Sequence, residues 1–333
     1  MNLAIDTKAK LLVALSPLMS PVSFAEVDPF TPGFSGGISV NVGATDSKSQ
    51  NNTHDDNAIT TDLNNSGKEI SQAAPFLLGR LQYSFGNTIV FIGNSEDQIA
   101  EAQFQGELGV VQRLNKNTSL TAALFGNIPS ADEVWQDPYL TNSERKTTEQ
   151  TVAGARFAVD FNAPLPISLK YAYAYSEVEN EDIGVSQALT TQDAALLLRD
   201  SDYHRAGAEV TLPFNQSFMV APALYYTMRD AKGAANSFDQ ISAQIAFILN
   251  YSRHNLVATL RSSRADFDAE NPVFALKQDY DSKGIFSVYS YNEPMNWHNT
   301  QLHLMAGYQT KDSDITFYDS ESTFVSTGFS YRF

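Results

Sequence analysis

The chain has 333 residues, no cysteine and a formal net charge of −16. This acidity argues against a nucleic-acid partner, because binding to phosphates needs a basic face. The absence of cysteine excludes disulfides and every metal site that depends on thiolate ligands, and no motif predicts another cofactor.

The N-terminal segment predicts export. Two lysines precede the apolar run "LLVALSPLM", and "SPVSFA" follows with small residues, Ser23 and Ala25, at the −3 and −1 positions of a cleavage site. This pattern is typical of a secretory signal peptide over residues 1–25, cut before Glu26. The alternative is an N-terminal helix of a cytoplasmic protein, which two prolines in the segment disfavour. The mature chain is then 26–333.

Strict two-residue alternation begins at "GFSGGISVNVGA". Ile38, Val40 and Val42 alternate with Ser39 and Asn41, which is the pattern of a strand with one apolar and one polar face. The alternation recurs in segments of about ten residues, the length with which a tilted strand crosses a bilayer. The sequence therefore predicts an all-β, transmembrane, antiparallel up-and-down barrel.

About fourteen strands are predicted, with twelve or sixteen as alternatives. Their predicted ranges are 34–44, 76–85, 88–95, 102–113, 118–127, 151–161, 167–177, 203–213, 218–228, 239–251, 255–264, 280–291, 300–310 and 322–333. For the segment at 280–291, the sequence does not decide which face points outward. Short turns alternate with long polar loops at 45–74, 128–149, 178–201, 230–238 and 265–278, as in barrels with short periplasmic turns and long extracellular loops.

Strands that run toward the periplasm end on an outward aromatic residue in all but one case. These residues are Phe85, Phe161, Phe214, Tyr251, Tyr291 and Phe333. Aromatic residues at this level form the girdle where a barrel meets the lipid headgroups. The terminal Phe333 is therefore predicted to be one member of a repeated register.

Two segments resemble known families. Ser326, Gly328, Tyr331 and Phe333 match the C-terminal signal of outer-membrane barrels, which implies the barrel-assembly machinery as a partner. The mature start, "VDPFTPGFSGGISVNVG", resembles the domain-of-unknown-function 2860 family of Gram-negative bacteria. That resemblance implies an outer-membrane barrel over nearly the whole mature chain and supplies no site residues.

The candidate lumen residues are charged residues at positions that the two-residue alternation directs inward. They are Arg80, Arg156, Glu209, Glu107, Asp160, Lys170, Arg205, Arg261 and Arg332. Together with inward Ser, Thr, Gln, Asn and Gly, they predict a mostly polar and net basic lumen. Two interpretations stay open: the charges pair and close the lumen, or water solvates them and they set ion selectivity, as charged rings do in pores.

Three loop features have open interpretations. His204 lies near Ser201 and Asp202, but nothing specifies the contact that a nucleophile and base require, so a rim histidine is favoured. The acidic run "EVENEDIG" is interpreted as a solvated loop rather than a calcium site. In the loop 178–201, Thr190 or Thr191 caps a predicted short helix whose leucines either constrict the mouth or pack on neighbouring loops.

The sequence favours a passive channel for small hydrophilic solutes, in contact with outer-membrane lipid and lipopolysaccharide. About fourteen strands leave more interior width than the eight that side chains can fill. The alternative is a structural or adhesive surface protein with a closed lumen, and an enzyme is the third and least favoured hypothesis.

Overall fold

A computed structural model describes residues 28–94, 105–127 and 133–333, and it shows a closed antiparallel barrel of fourteen long strands. Every long strand pairs with its neighbour along the chain, and β1 pairs with β16 to close the ring. The strands are β1 Gly33–Lys48, β2 Glu69–Ser84, β3 Thr88–Asn94, β4 Gln105–Asn115, β5 Thr118–Asn127, β6 Glu133–Trp135, β7 Thr147–Phe161, β8 Ile167–Val178, β9 Ser201–Val210, β10 Leu212–Pro213, β11 Phe218–Ala231, β12 Phe238–Tyr251, β13 His254–Phe267, β14 Tyr280–Asn292, β15 Thr300–Ser313 and β16 Ser320–Arg332.

Helical structure is confined to the connections. Among the described residues, the one α-helix, α1, spans Thr191–Ala195, and the five single-turn 3-10 helices are Asp55–Asn57, Val185–Gln187, Ala234–Asn236, Pro294–Asn296 and Thr316–Tyr318. Within the described ranges, no helix has the length and apolar character needed to cross a membrane. The predicted signal peptide, 1–25, lies outside the described residues.

The alternation in the sequence becomes the two faces of the wall. On β1 the side chain of Val40 is 58% exposed on the outside, whereas Asn41 faces the interior and is 1% exposed. The same outward series of large apolar side chains continues around the barrel, for example at Leu77, Leu124 and Leu224. An apolar outer surface of this extent suits lipid rather than water.

Several strands are longer at their outer ends than predicted. β1 continues to Lys48 and β2 begins at Glu69, and the two remain paired over the whole length. These outer segments, such as "TDSK" and "EISQ", are too polar for an apolar alternation to reveal them. Backbone pairing continues there although the outward side chains, such as Asp46 and Ser71, are polar. The predicted strand 203–213 is interrupted at Thr211, which separates β9 from β10.

The ladder also fixes the orientation of the predicted strand 280–291. Ile285 points outward and is exposed, while Ser282 and Ser290 are buried on the inward face. The aromatic periplasmic ends are present as predicted, with Phe85, Phe214 and Tyr251 exposed on the outer surface.

The terminal phenylalanine completes the seam between the first and last strands. The Gly36 N–H donates to the Phe333 carbonyl at 3.0 Å, and the Phe333 N–H donates to the Gly36 carbonyl at 3.1 Å. The Phe333 ring stacks on Phe34 with centroids 5.5 Å apart. The last residue of the chain therefore belongs to both the girdle and the closure of the barrel.

Candidate functional site

The eight predicted lumen residues all lie on the inward face of the wall, because their positions in the ladders match those of buried inward neighbours. They are Arg80, Arg156, Glu209, Glu107, Asp160, Lys170, Arg205 and Arg261. Arg332, near the periplasmic end of β16, shares the inward parity. Some of them contact an oppositely charged or hydrogen-bonding side chain, and others lie against aromatic rings.

Arg156 and Glu107 form a buried ion pair. Arg156 Nε and Nη2 donate to the two carboxylate oxygens at 2.8 and 2.9 Å, and the side chains are 5% and 1% exposed. Glu107 is on β4 and Arg156 is on β7, so the pair crosses β5, where Ala123 lies opposite Arg156 in the ladder. The pair braces three neighbouring wall strands and does not span the lumen.

The other two acidic lumen residues also have partners. Glu209 lies 3.9 Å from the Lys170 ammonium, measured from carboxylate oxygen to nitrogen. Asp160 accepts a hydrogen bond from Ser168 Oγ at 2.7 Å. These contacts lie between adjacent strands at the periplasmic half of the wall.

Arginines on the remaining wall lie against aromatic rings. The Arg80 guanidinium is 3.7 Å from the Phe91 ring centroid, and that of Arg205 is 4.4 Å from the Tyr225 centroid. Arg261 is half-buried, and Gly284, directly opposite it on β14, adds no side chain.

Charge is distributed unevenly around the lumen. The three inward carboxylates are on β4, β7 and β9. On the described strands from β11 through β16 and on to β1 and β2, no inward position is acidic. The inward bases on that arc are Arg229, Arg261, Lys311, Arg332 and Arg80. The lumen therefore has one wall with mixed charge and one wall that is purely basic.

The inward faces are less polar than predicted. One apolar cluster contains Phe76, Met305 and Phe324, and another contains Phe125, Val152 and neighbouring residues of β8 and β9. Sequence periodicity did not distinguish these residues as a group, because each cluster combines single side chains from several strands.

A hydrogen-bonded cluster at the seam was not identified from the sequence. Ser39, Asn41 and His303 are buried together, with His303 Nε2 3.0 Å from Ser39 Oγ and also bonded to Asn41 Oδ1. One ring nitrogen contacts both partners, so His303 does not connect serine to amide as a catalytic relay requires. The bond from Asn41 to His303 passes over β16 at Gly328.

This cluster explains why the C-terminal signal has a glycine at position 328. A Cβ at this position would overlap Asn41 Oδ1 and the Val40 carbonyl. The absence of a side chain allows β1 and β15 to bond across the last strand. The alternation in the sequence places Asn41 and Gly328 on inward faces. It does not show that the two residues pair across the closed seam.

The outer mouth is covered by a loop cap, a buried cluster built on Tyr139, Ile183, Leu197, Ile315 and Phe317. The Tyr139 and Phe317 rings lie 5.5 Å apart. Tyr139 follows β6, and Phe317 is in the connection between β15 and β16. Six strands, β16 to β5, separate these connections in one direction around the ring and eight in the other. Loops from nearly opposite sides therefore meet over the opening.

Polar groups inside the cap are satisfied locally. Tyr139 and Tyr318 share a hydrogen bond, and Asn271 Nδ2 donates to both hydroxyls at 2.9 and 3.0 Å. Burial raises the pKa of both tyrosines. Arg145, which lies over the Trp135 ring, has its pKa lowered to about 10 by burial.

The loop predictions are partly confirmed. Thr190 caps α1 by accepting a hydrogen bond from the Asp193 N–H, and Leu197 packs on neighbouring loops within the cap. The interpretation of the acidic run as solvated is wrong for Glu181, which forms a two-oxygen ion pair with Arg199 Nη2 and Nε at 2.7 and 2.9 Å. Because this pair joins the two ends of the loop 178–201, it holds Leu197 in place.

His204 and Ser201 lie on opposite faces of β9. His204 Nδ1 is 2.7 Å from the Tyr171 hydroxyl on the outer surface, whereas Ser201 is buried and donates to the Arg199 carbonyl. The two side chains do not form a nucleophile–base contact. Among the described residues, no group of three acidic, histidine or cysteine side chains forms a metal site.

Solved structures of other proteins share the fold of this chain. The TodX monoaromatic hydrocarbon channel, in a deltaS2 mutant, is 9% identical over 90% of both chains with a TM-score of 0.50. A FadL homologue of Pseudomonas aeruginosa is 10% identical over 90% of both chains with a TM-score of 0.48. At these identities the likeness concerns the fold. A search of curated proteins finds no match.

The family is established by a different comparison. The model of the family described as protein of unknown function (DUF2860) matches residues 33–332, from the first residue of β1 to the last residue of β16. The match agrees with the resemblance of the segment 27–43 to the same family. This chain is an outer-membrane β-barrel that belongs to the DUF2860 family.

Proposed function

We propose that this protein is a passive outer-membrane channel for small hydrophilic solutes, with its outer mouth covered by the loop cap. The observation that carries the proposal is the closed fourteen-strand wall, in which the inward charged side chains on the described strands from β11 through β16 to β2 are all basic. Eight-strand barrels are filled by their own side chains, and barrels of sixteen or more leave an aqueous channel. The fold shared with TodX, itself a channel, is further support. The proposal includes no catalytic step and no cofactor.

The cap supplies a direct test. Leu197 is fully buried among residues of several loops, and truncating a buried leucine to alanine typically costs about 2–5 kcal/mol. Leu197→Ala should therefore loosen the cap and increase the open probability in planar bilayers. Val185→Ala is the matched control, because Val185 is in the same loop but 71% exposed. If Leu197→Ala and wild type both remain silent, the channel proposal is wrong.

A closed-lumen surface protein is the second candidate. One observation favours it, which is the loop cap over the mouth. This candidate expects no conductance from wild type or cap variants and expects function to reside in the loops. The same bilayer recording therefore separates the two candidates.

A further inference from the structure

The N-terminal strap, residues 28–32, precedes the first strand and packs against the barrel. Phe30 is 9% exposed, whereas Phe34, four residues later on the outer surface, is 60% exposed. A segment that continued away from the barrel would leave Phe30 as exposed as Phe34. The strap is therefore covered by the protein at Phe30.

Arg113 of β4 holds the strap. Its guanidinium carbon lies 3.9 Å from the Phe30 ring centroid, and its Nη2 donates to Asp28 Oδ1. In the ladders Arg113 lies opposite Ser119, which in turn lies opposite the inward residue Asp160. Residues directly opposite each other in a ladder share a face. Arg113 therefore points inward, and its two contacts place the strap on the lumen side of the wall.

The strap passes two strands to reach Arg113. β1 begins at Gly33, and β2 and β3 lie between β1 and β4 in the sheet. Three strand spacings of about 4.8 Å make a path of about 14 Å. The three residues from Gly33 back to Phe30 span about 10 Å when extended, and the long side chain of Arg113 covers the remainder. The strap therefore runs along the lumen side of β2 and β3 at their periplasmic ends.

The local sequence favours this path. The Phe30 N–H donates to Asp28 Oδ1 at 3.0 Å, and the Thr31 N–H donates to the Asp28 carbonyl at 2.8 Å. These two bonds close a tight turn, and prolines on both sides of Phe30 restrict the backbone. Gly33 has a φ of +139°, which L side chains rarely adopt, and it forms the bend between the strap and β1. A segment restricted in this way loses less conformational entropy when it docks.

Inward side chains along this path are buried. Ser84, the last residue of β2, is 1% exposed, and Ile89, near the start of β3, is 3% exposed. Side chains at the rim of an open lumen meet water, so this burial requires a cover. The strap follows the path that covers them.

We propose that the N-terminal strap closes part of the periplasmic exit of the barrel, with Phe30 as its wedge and the Asp28–Arg113 pair as its latch. This inference goes beyond the proposed function, which concerns solute passage and the outer mouth. The side chains of Arg113 and Asp28 are 28% and 52% exposed, and partly exposed pairs of this kind contribute about 0–1 kcal/mol. The strap can therefore release while the wall remains folded.

Thiol labelling tests the strap without requiring conductance, because the chain contains no cysteine. Ile89→Cys places one thiol beneath the strap, and Ser290→Cys places one at a buried inward position of β14, on another part of the wall. The probe is a water-soluble maleimide, applied to the purified, folded barrel in detergent. We expect Phe30→Ala to raise the labelling rate of Ile89→Cys at least tenfold and to leave that of Ser290→Cys unchanged. Phe34→Ala is the matched control, because it removes the same side chain from the outer surface and should change neither rate.

A second variant keeps the wedge and removes the latch. Asp28→Ala should raise the labelling rate of Ile89→Cys to a smaller extent than Phe30→Ala. If neither variant changes this rate, with folding verified by heat-shift on gels, the strap is overturned. An equal rise at Ser290→Cys overturns it as well, because the whole barrel is then loosened. A rise confined to Ile89→Cys in a barrel that never conducts supports the strap and contradicts only the proposed channel.

Discussion

The Arg156–Glu107 pair makes a quantitative prediction about the wall. Both side chains are almost completely buried and joined by two hydrogen bonds. Removing one partner of such a pair leaves an uncompensated buried charge, which costs about 3–5 kcal/mol, whereas replacing both with apolar residues is often neutral or stabilising. We expect Arg156→Met and Glu107→Met each to lower the free energy of unfolding by about 3 kcal/mol or more, and the double variant to recover most of that loss.

The assay is urea unfolding of the barrel in lipid vesicles, followed by the shift in gel mobility between folded and unfolded forms. Arg264→Met is the control, because the Arg264–Asp266 pair is on the outer surface with both side chains more than half exposed. Exposed pairs contribute about 0–1 kcal/mol. If Arg156→Met unfolds within about 1 kcal/mol of wild type, or if the two single effects simply add in the double variant, the pair is not a structural brace. Arg156 would then again be a candidate for ion selectivity.

Three other predictions concern export and the seam. Phe333→Asp should lower the amount of folded protein in the outer membrane, because it removes both the stacking on Phe34 and the terminal residue of the assembly signal. An immunoblot of unheated samples measures this amount, and a normal level of folded protein would contradict the prediction. Gly328→Ala should destabilise the folded barrel by about 1–3 kcal/mol through overpacking. Gly37→Ala should be tolerated, because a Cβ at Gly37 would meet nothing closer than 3.7 Å. Equal stability of the two variants would contradict the seam contact. N-terminal sequencing of the membrane fraction should find Glu26 first, and an intact Met1 would contradict the signal peptide.

The fold was accessible from the sequence because a barrel in lipid imposes a two-residue period on every strand. Val40 and Asn41 already differ in polarity, and the structure places them on opposite faces as that difference predicts. The outer strand ends, such as Ser47 and Lys48, were missed because their outward side chains are polar, so the two faces no longer differ in polarity. Backbone pairing continues there without an apolar signal.

The candidate site was only partly accessible. Parity placed Arg156 and Glu107 inside, but 49 residues separate them, and the sequence does not reveal that they lie across a single strand. The cap was missed for the same reason: Tyr139 and Phe317 meet because loops from opposite sides of the ring cross the mouth. Local patterns define the faces of strands, whereas contacts between distant strands and loops depend on the closure of the ring.

The central claim is that the barrel conducts small solutes. The most direct measurement is single-channel recording of the purified, folded protein in planar bilayers, with wild type and Leu197→Ala compared under the same salt gradient. We predict discrete openings in wild type, more frequent openings in Leu197→Ala, and a reversal potential displaced toward that of the anion because of the basic arc. Silence from both proteins, with folding verified by gel mobility, would contradict the channel and favour a closed-lumen surface protein.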